Sequence, residues 1–236
     1  MPDPVSHAKS YPFPAPPHCY LYEAGEWRRL EDHGFDRAGR APVLAAGSNQ
    51  SPEQLARKYG HMTGIGPIHA QRGRLHDFDV VYAAHLARYG SVPATFQQSP
   101  GTAVTVFVLW LTGPQLVRMH ETEGNYSYDH LTGIRVELDA GDRLAEAFAY
   151  TSKVGCLAHE GDCVGLAEIA ADNRRFRAMR QADILAAVRD RLDPGADLDR
   201  FIEAHVDDPG LLRDRSRRLA EGAIPAAYPR RTLLVL

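Results

Sequence analysis

Val43-Leu44-Ala45-Ala46-Gly47-Ser48-Asn49 is the stretch on which the reading of this chain turns: an apolar run stops at three small, turn-forming residues, and Ser51-Pro52-Glu53-Gln54-Leu55 follows. The pattern predicts a strand, a tight loop and a helix. Gly47 suits a positive φ, Asn49 tolerates one, and Ser51 is placed to cap a helix whose first residue is Pro52. Such a loop turns backbone N–H groups outward at a helix N-terminus, where a carboxylate or oxyanion is stabilised. Taken alone, it is also what an ordinary strand-to-helix connection looks like.

Upstream, residues 1–18 are rich in proline and predict an extended or disordered leader. Cys19 to Tyr22 reads as a short edge strand, and Glu23-Ala24-Gly25-Glu26 as a turn. Downstream, Pro52 to Tyr59 reads as a short helix ended by Gly60 to Gly66. Strands are predicted over Leu75 to Tyr82, Gly90 to Gln98 and Ala103 to Leu111, the last continuous and β-branched enough to be covered on both faces. Thr112 and Pro114 open a helix that runs to Glu121; strands Gly133 to Leu138 and Arg143 to Thr151 follow, joined by the turn Asp139-Ala140-Gly141-Asp142. Beyond residue 163 the period becomes helical, with stripes at Leu166, Ile169, Asn173 and Phe176, at Ile184, Leu185, Val188 and Leu192, and at Leu198, Phe201, Ile202 and Val206. A last helix is expected near Leu211 to Glu221, before an apolar tail, Thr232 to Leu236, suited to a sheet edge or a groove. These shifts divide the chain into an N-terminal extension (1–40), a strand-rich unit (41–160) and a helical addition packed on it (161–236).

The 236 residues are enough to bury a sizeable core without disulfides or metal. A formal net charge of -3 gives no electrostatic reason to expect nucleic acid or an anionic membrane as partner. Three cysteines, Cys19, Cys156 and Cys163, cannot all pair within one chain, which fits a reducing cytoplasm. No segment approaches the roughly 20 apolar residues of a membrane span, and the N-terminus lacks a signal-peptide apolar run. The oligomeric state is not legible.

A second informative stretch is Met119-His120-Glu121-Thr122-Glu123-Gly124-Asn125-Tyr126. It sets two carboxylates at a helix end before a glycine, and Glu123 is the one that falls where the chain turns inward; from spacing alone it reads more readily as a solvated helix-end group. Cys156, His159, Glu160, Asp162 and Cys163 crowd one loop, but the Cys-x2-His-x3-Cys spacing lacks the partner pair of a structural zinc site. His120, Glu121 and His130 lack the spacing of a hydrolytic zinc site, so no metal is expected. The arginines at 174, 175, 177 and 180 and at 213, 215, 217 and 218 read as solvated helix faces. His85, with Arg88 and Tyr89, sits between two predicted strands and reads first as a plain loop and second as a pocket-lining group.

Gly47-Ser48-Asn49 after an apolar strand, then Ala94-Thr95-Phe96-Gln97-Gln98-Ser99-Pro100-Gly101, a further apolar strand, and Glu123-Gly124 after a short helix together resemble the γ-glutamylcyclotransferase family over roughly residues 42–152. The order and spacing of the three motifs are more specific than any one of them. The resemblance implies an α+β fold: a small mixed β-barrel with flanking helices, here with a helical C-terminal extension. It implies that Gly47, Ser48 and Asn49 hold a γ-glutamyl group through backbone N–H groups, with Leu44, Ala46, Tyr126 and Tyr150 around the same substrate, and that Glu123 is the acid/base. The family loop usually begins with tyrosine where this chain has Ala46, which implies a larger substrate, a compensating tyrosine (Tyr126, Tyr128 or Tyr150) or a dead site.

The implied chemistry needs one carboxylate and no cofactor. The α-amino group of a γ-glutamyl amine or amide attacks its own side-chain carbonyl, closing 5-oxoproline and expelling the amine, an intramolecular acyl transfer of lyase outcome. A pocket that fixes the folded rotamer captures much of the roughly 7–11 kcal/mol available from orientation. The alternatives are a binding module without efficient turnover and an acyltransferase or amide hydrolase using the same pocket.

Overall fold

The computed structural model describes residues 3–31 and 34–236 as an α+β fold built around a closed ring of five strands. A hairpin of β1 (Tyr20–Glu23) and β2 (Glu26–Arg29) comes first; it turns at Ala24 and Gly25, both at positive φ, as a two-residue hairpin loop requires. The ring consists of β3 (Ala41–Ala45), β4 (Ile68–Tyr82), β5 (Ala94–Leu111), β6 (Tyr126–Leu138) and β7 (Arg143–Ser152). Pairing runs β3–β5–β4–β6–β7 and closes from β7 back to β3, where Val43 and Phe148 pair in parallel; the other ring contacts are antiparallel. β1 pairs with β4 outside the ring, leaving β2 as the edge. The apolar tail forms β8 (Arg231–Val235), which pairs with β6 from Arg231 opposite His130.

Strand period sorts the core into two. Along β5, Val104, Val106, Val108 and Trp110 enter one apolar cluster, while Phe107, Leu109 and Leu111 enter another. Both faces are therefore covered, as the continuous run predicts. The first cluster is extended by the helices α4 (Gln181–Leu192), α5 (Leu198–Asp207) and α6 (Pro209–Ala220), through Ile184, Leu185, Phe201, Ile202 and Leu219. Each such side chain, fully buried, contributes about 1.5–3 kcal/mol. The second cluster is closed by two short helices, α2 (Pro52–Tyr59) and α3 (Gly113–Glu121), with Leu55, Tyr59 and Met119 inward. Among the described residues no helix is long and apolar enough to cross a membrane.

Several sequence expectations are corrected. Residues 4–9 form a helix, capped by the Asp3 side chain on the Ser6 N–H at 2.9 Å, and Tyr11 and Phe13 behind it are buried. That helix packs on α5 and α4, and Lys9 pairs with Asp199. β4 begins at Ile68 rather than Leu75, and β5 runs unbroken from Ala94, with the register shifting in β4 between His76 and Phe78. Gly90 lies outside the strand at φ 92°, with Ile202, Val206 and Ala8 too close to admit a Cβ. The stripe at Leu166, Ile169, Asn173 and Phe176 is not a helix but a run of two-residue strands and turns, broken at Asn173 by a positive φ. Arg174 is not solvated: its Nε and Nη2 clasp the fully buried Asp79 carboxylate at 2.9–3.1 Å, which draws this segment against β4. Arg215 is also buried, on Phe201 O (2.7 Å) and His205 Nδ1 (3.0 Å).

Candidate functional site

The connection from β3 to α2 is a single 3-10 turn, Ser48–Gln50. Ser51 sits at the N-cap of α2 with extended backbone, but its side chain makes no capping bond. Gly47 has φ -119°, so positive φ is not why a glycine stands there. The reason is proximity: a Cβ at Gly47 would come within 3.0 Å of the Tyr11 hydroxyl, with Cζ at 3.5 Å. The turn forms one wall of a cavity of about 250 Å³. Leu44, Ala46, Gly47, Ser48, Asn49, Glu123, Tyr126 and Tyr150 all line it, so the residues singled out from sequence converge on one space; Tyr128 does not.

Glu123 follows the last turn of α3, its N–H on His120 O at 3.1 Å. It is 8% exposed, unlike a solvated helix-end carboxylate, whereas Glu121 is exposed and pairs with Arg118 at 2.8 Å. One oxygen of Glu123, Oε1, accepts from Asn49 Nδ2 at 3.0 Å and from Lys58 Nζ at 2.5 Å. Lys58 is itself 4% exposed, and its ammonium also reaches Met119 Sδ at 3.2 Å. Among the described residues Oε2 of Glu123 makes no hydrogen bond or ion pair. The carboxylate is thus fastened by one oxygen and free at the other.

Sequence reasoning missed Lys58, although a signal was present: Leu55, Lys58 and Tyr59 stand at i, i+3 and i+4, which puts the lysine on the apolar face of α2. Tyr11 carried no such signal, since isolated aromatics in a proline-rich stretch have no period. For His85, Arg88 and Tyr89 the second of the two sequence readings holds, since all three line the cavity. His85 is 4% exposed with both ring nitrogens unpartnered, and burial pushes its imidazole down to about 4. It is therefore neutral near pH 7, with one donor and one acceptor on the ring.

The tyrosines hold the site by their hydroxyls. Tyr126 Oη donates to Ala94 O at 3.1 Å, and Tyr11 Oη accepts from Ala94 N–H at 2.7 Å. Tyr150 Oη bonds His120 Nδ1 at 2.9 Å. Burial raises the phenols of Tyr11, Tyr126 and Tyr150 well above their ordinary value, so all stay protonated.

Elsewhere, Cys156 and Cys163 are free thiols in an apolar cluster with Val81, and Glu160 of the same loop pairs with Arg177 at 2.7 Å. Among the described residues no three His, Cys, Asp or Glu side chains are grouped to hold a metal ion.

No protein-family model and no curated protein sequence matches the chain. Among solved structures it is similar to one described as a gamma-glutamyl cyclotransferase, with 16% identity and a TM-score of 0.38 over 82% of this chain and 93% of that one. A solution structure from Arabidopsis thaliana matches with 17% identity and a TM-score of 0.37, over 50% of this chain and 72% of that one. An uncharacterized protein from Homo sapiens matches with 15% identity and a TM-score of 0.37, over 91% of this chain and 94% of that one.

Proposed function

We propose that the chain cyclises a γ-glutamyl amine or amide to 5-oxoproline and releases the amine, with Glu123 as general acid/base. The observation that carries this reading is the carboxylate of Glu123, buried at the cavity, held through Oε1 by Asn49 and Lys58 and open at Oε2. A base must reach the proton it abstracts, and a rotamer locked through one oxygen presents the other in a fixed place. The cavity, at about 250 Å³, lies just below the ~300–1,000 Å³ of pockets for drug-sized ligands, which favours a small amino-acid derivative.

In this mechanism Oε2 takes a proton from the substrate's α-ammonium. The freed amine attacks the γ-carbonyl carbon and the ring C–N bond forms; the ring nitrogen then sheds its second proton, the C–N bond to the leaving amine breaks, and Glu123 relays protons to the leaving nitrogen. The two protons lost by the α-nitrogen are the two gained by the amine, which departs as an ammonium, and no other atom is gained or lost. The Lys58 ammonium beside the same carboxylate opposes the charge of the incoming ammonium and so favours its neutral, nucleophilic form. In this reading N–H groups of the 47–49 turn receive the substrate carboxylate or the developing oxyanion.

The test is a panel of γ-glutamyl and other acyl amides followed by mass spectrometry. Release of 5-oxoproline by the wild type, lost in Glu123→Gln, is the expected result; undiminished release in Glu123→Gln refutes the role. The Lys58–Glu123 pair also suits a binding module with an occupied carboxylate, and binding of a γ-glutamyl compound with no 5-oxoproline over long incubation selects that reading. Cleavage of other acyl amides selects an acyltransferase or hydrolase.

A further inference from the structure

The geometry points to Tyr11, carried into the cavity by the N-terminal segment, as the hydroxyl that donates to an oxygen of the γ-glutamyl group; this rests on the cyclisation reading above and names a further substrate-contacting residue within it. Three observations converge on it. Tyr11 is 2% exposed yet lines the cavity beside Ala46 and Gly47. Its hydroxyl lies so close in front of the turn that residue 47 has no room for a Cβ beside it. Its hydroxyl oxygen accepts from the Ala94 N–H at 2.7 Å.

A phenol has one proton to donate and two lone pairs to accept with. In Tyr11 one lone pair takes the Ala94 N–H, and the proton has no acceptor among the described residues. Tyr126 differs, because its proton goes to Ala94 O, and Tyr150 is engaged with His120. Tyr11 keeps an unengaged O–H, and the Ala94 N–H on its oxygen polarises that bond and makes it a better donor. The acceptor it suits is a carboxylate or carbonyl oxygen. The turn that Ala46 and Gly47 leave small is thus completed by a side chain from 36 residues before Gly47.

The segment bearing Tyr11 is built in. Val5 and Ala8 of the first helix are buried, Phe13 stacks on His7 with centroids 4.4 Å apart, and Arg57 of α2 lies over the Phe13 ring at 5.1 Å. The C-terminal helices α4 and α5 pack against the same first helix, which gives the helical third of the chain a part in holding the cavity wall.

The test uses the full chain with Tyr11→Phe, which keeps the ring and removes the hydroxyl. Kinetics are run on γ-glutamyl-alanine, or on whichever panel member turns over faster. A fall in kcat/KM of about 10-fold or more is expected, on the scale of losing one donor to a reacting oxygen. A loss in kcat with KM held assigns the donor to the carbonyl oxygen, and a rise in KM with kcat held assigns it to the α-carboxylate; either supports the role. If kcat and KM of Tyr11→Phe both stay within twofold of an active wild type, the role is overturned while the cyclisation reading stands. If the wild type releases no 5-oxoproline from any panel member, the reading falls and the role with it. The placement of the ring has its own check: Gly47→Ala is expected to lower Tm, and to lower it less when made in Tyr11→Phe, because the Cβ then meets Cζ at 3.5 Å rather than the hydroxyl. Equal losses in both backgrounds mean that Tyr11 is not seated there.

Discussion

Lys58→Met is the most informative perturbation of the site. Methionine keeps an unbranched apolar body that can lie along Tyr59 and Met119, but it removes the ammonium from a pair whose side chains are 5% and 10% exposed. Removing one member of a buried ion pair costs about 3–5 kcal/mol, because the other charge is left without its partner. Here the lower end applies, since Glu123 Oε1 retains the Asn49 Nδ2 bond at 3.0 Å and Oε2 faces the cavity. A loss of about 3 kcal/mol lowers Tm by roughly 6–12 °C for a chain of this size. Urea denaturation should show the change in midpoint at constant slope. Adding Glu123→Gln should return much of the loss, because a neutral amide needs no counter-charge; the two substitutions are coupled through one contact. The reasoning is refuted if Lys58→Met costs under about 1 kcal/mol, or if the double variant is no more stable than the single.

The Arg174–Asp79 pair is subject to the same logic. Arg174→Met should cost about 3–5 kcal/mol, with Asp79→Asn in the same chain restoring part of it, and calorimetry of the single and double variants checks this. Acid stability carries the signature of His85, whose folded value is pushed down from 6.5 to about 4 by burial. Between those values the unfolded chain binds a proton that the folded chain does not, so stability is full above about pH 6.5 and falls as pH drops toward 4. His85→Gln should flatten that slope by at most one proton, about 1.4 kcal/mol per pH unit; an unchanged slope from urea titrations at pH 4 to 7 refutes the assignment. Loss of 5-oxoproline release in Glu123→Gln and the kinetic split in Tyr11→Phe complete the set.

Local chemistry was legible without the fold. An apolar run ending in Gly47-Ser48-Asn49 makes a strand and turn wherever it is placed, β-branched residues from Ala103 to Leu111 make a strand, and Glu123 falls at a helix end because Gly124 and Asn125 follow. The helices over 181–220 follow from apolar period, and they stand where that period put them. The stripe that failed, Leu166 to Phe176, failed for a nonlocal reason: Asp79 is fully buried on a neighbouring strand and takes Arg174 as its partner, and a helix there would carry the guanidinium away from it.

What the sequence by itself determined is therefore the list of elements and the chemical identity of the turn and of the carboxylate, since propensity, period and turn chemistry act over a few residues. What only the tertiary structure decided is which side chains share the cavity. Lys58 and Glu123 lie 65 residues apart, and Tyr11 and Ala94 lie 83 apart. No periodicity relates such positions. They are brought together by barrel closure, by the packing of α2 against α3, and by the clasp of the first helix between the barrel and the C-terminal helices. Ala46 illustrates the division: the sequence marked the small residue, and the fold supplied the tyrosine beside it.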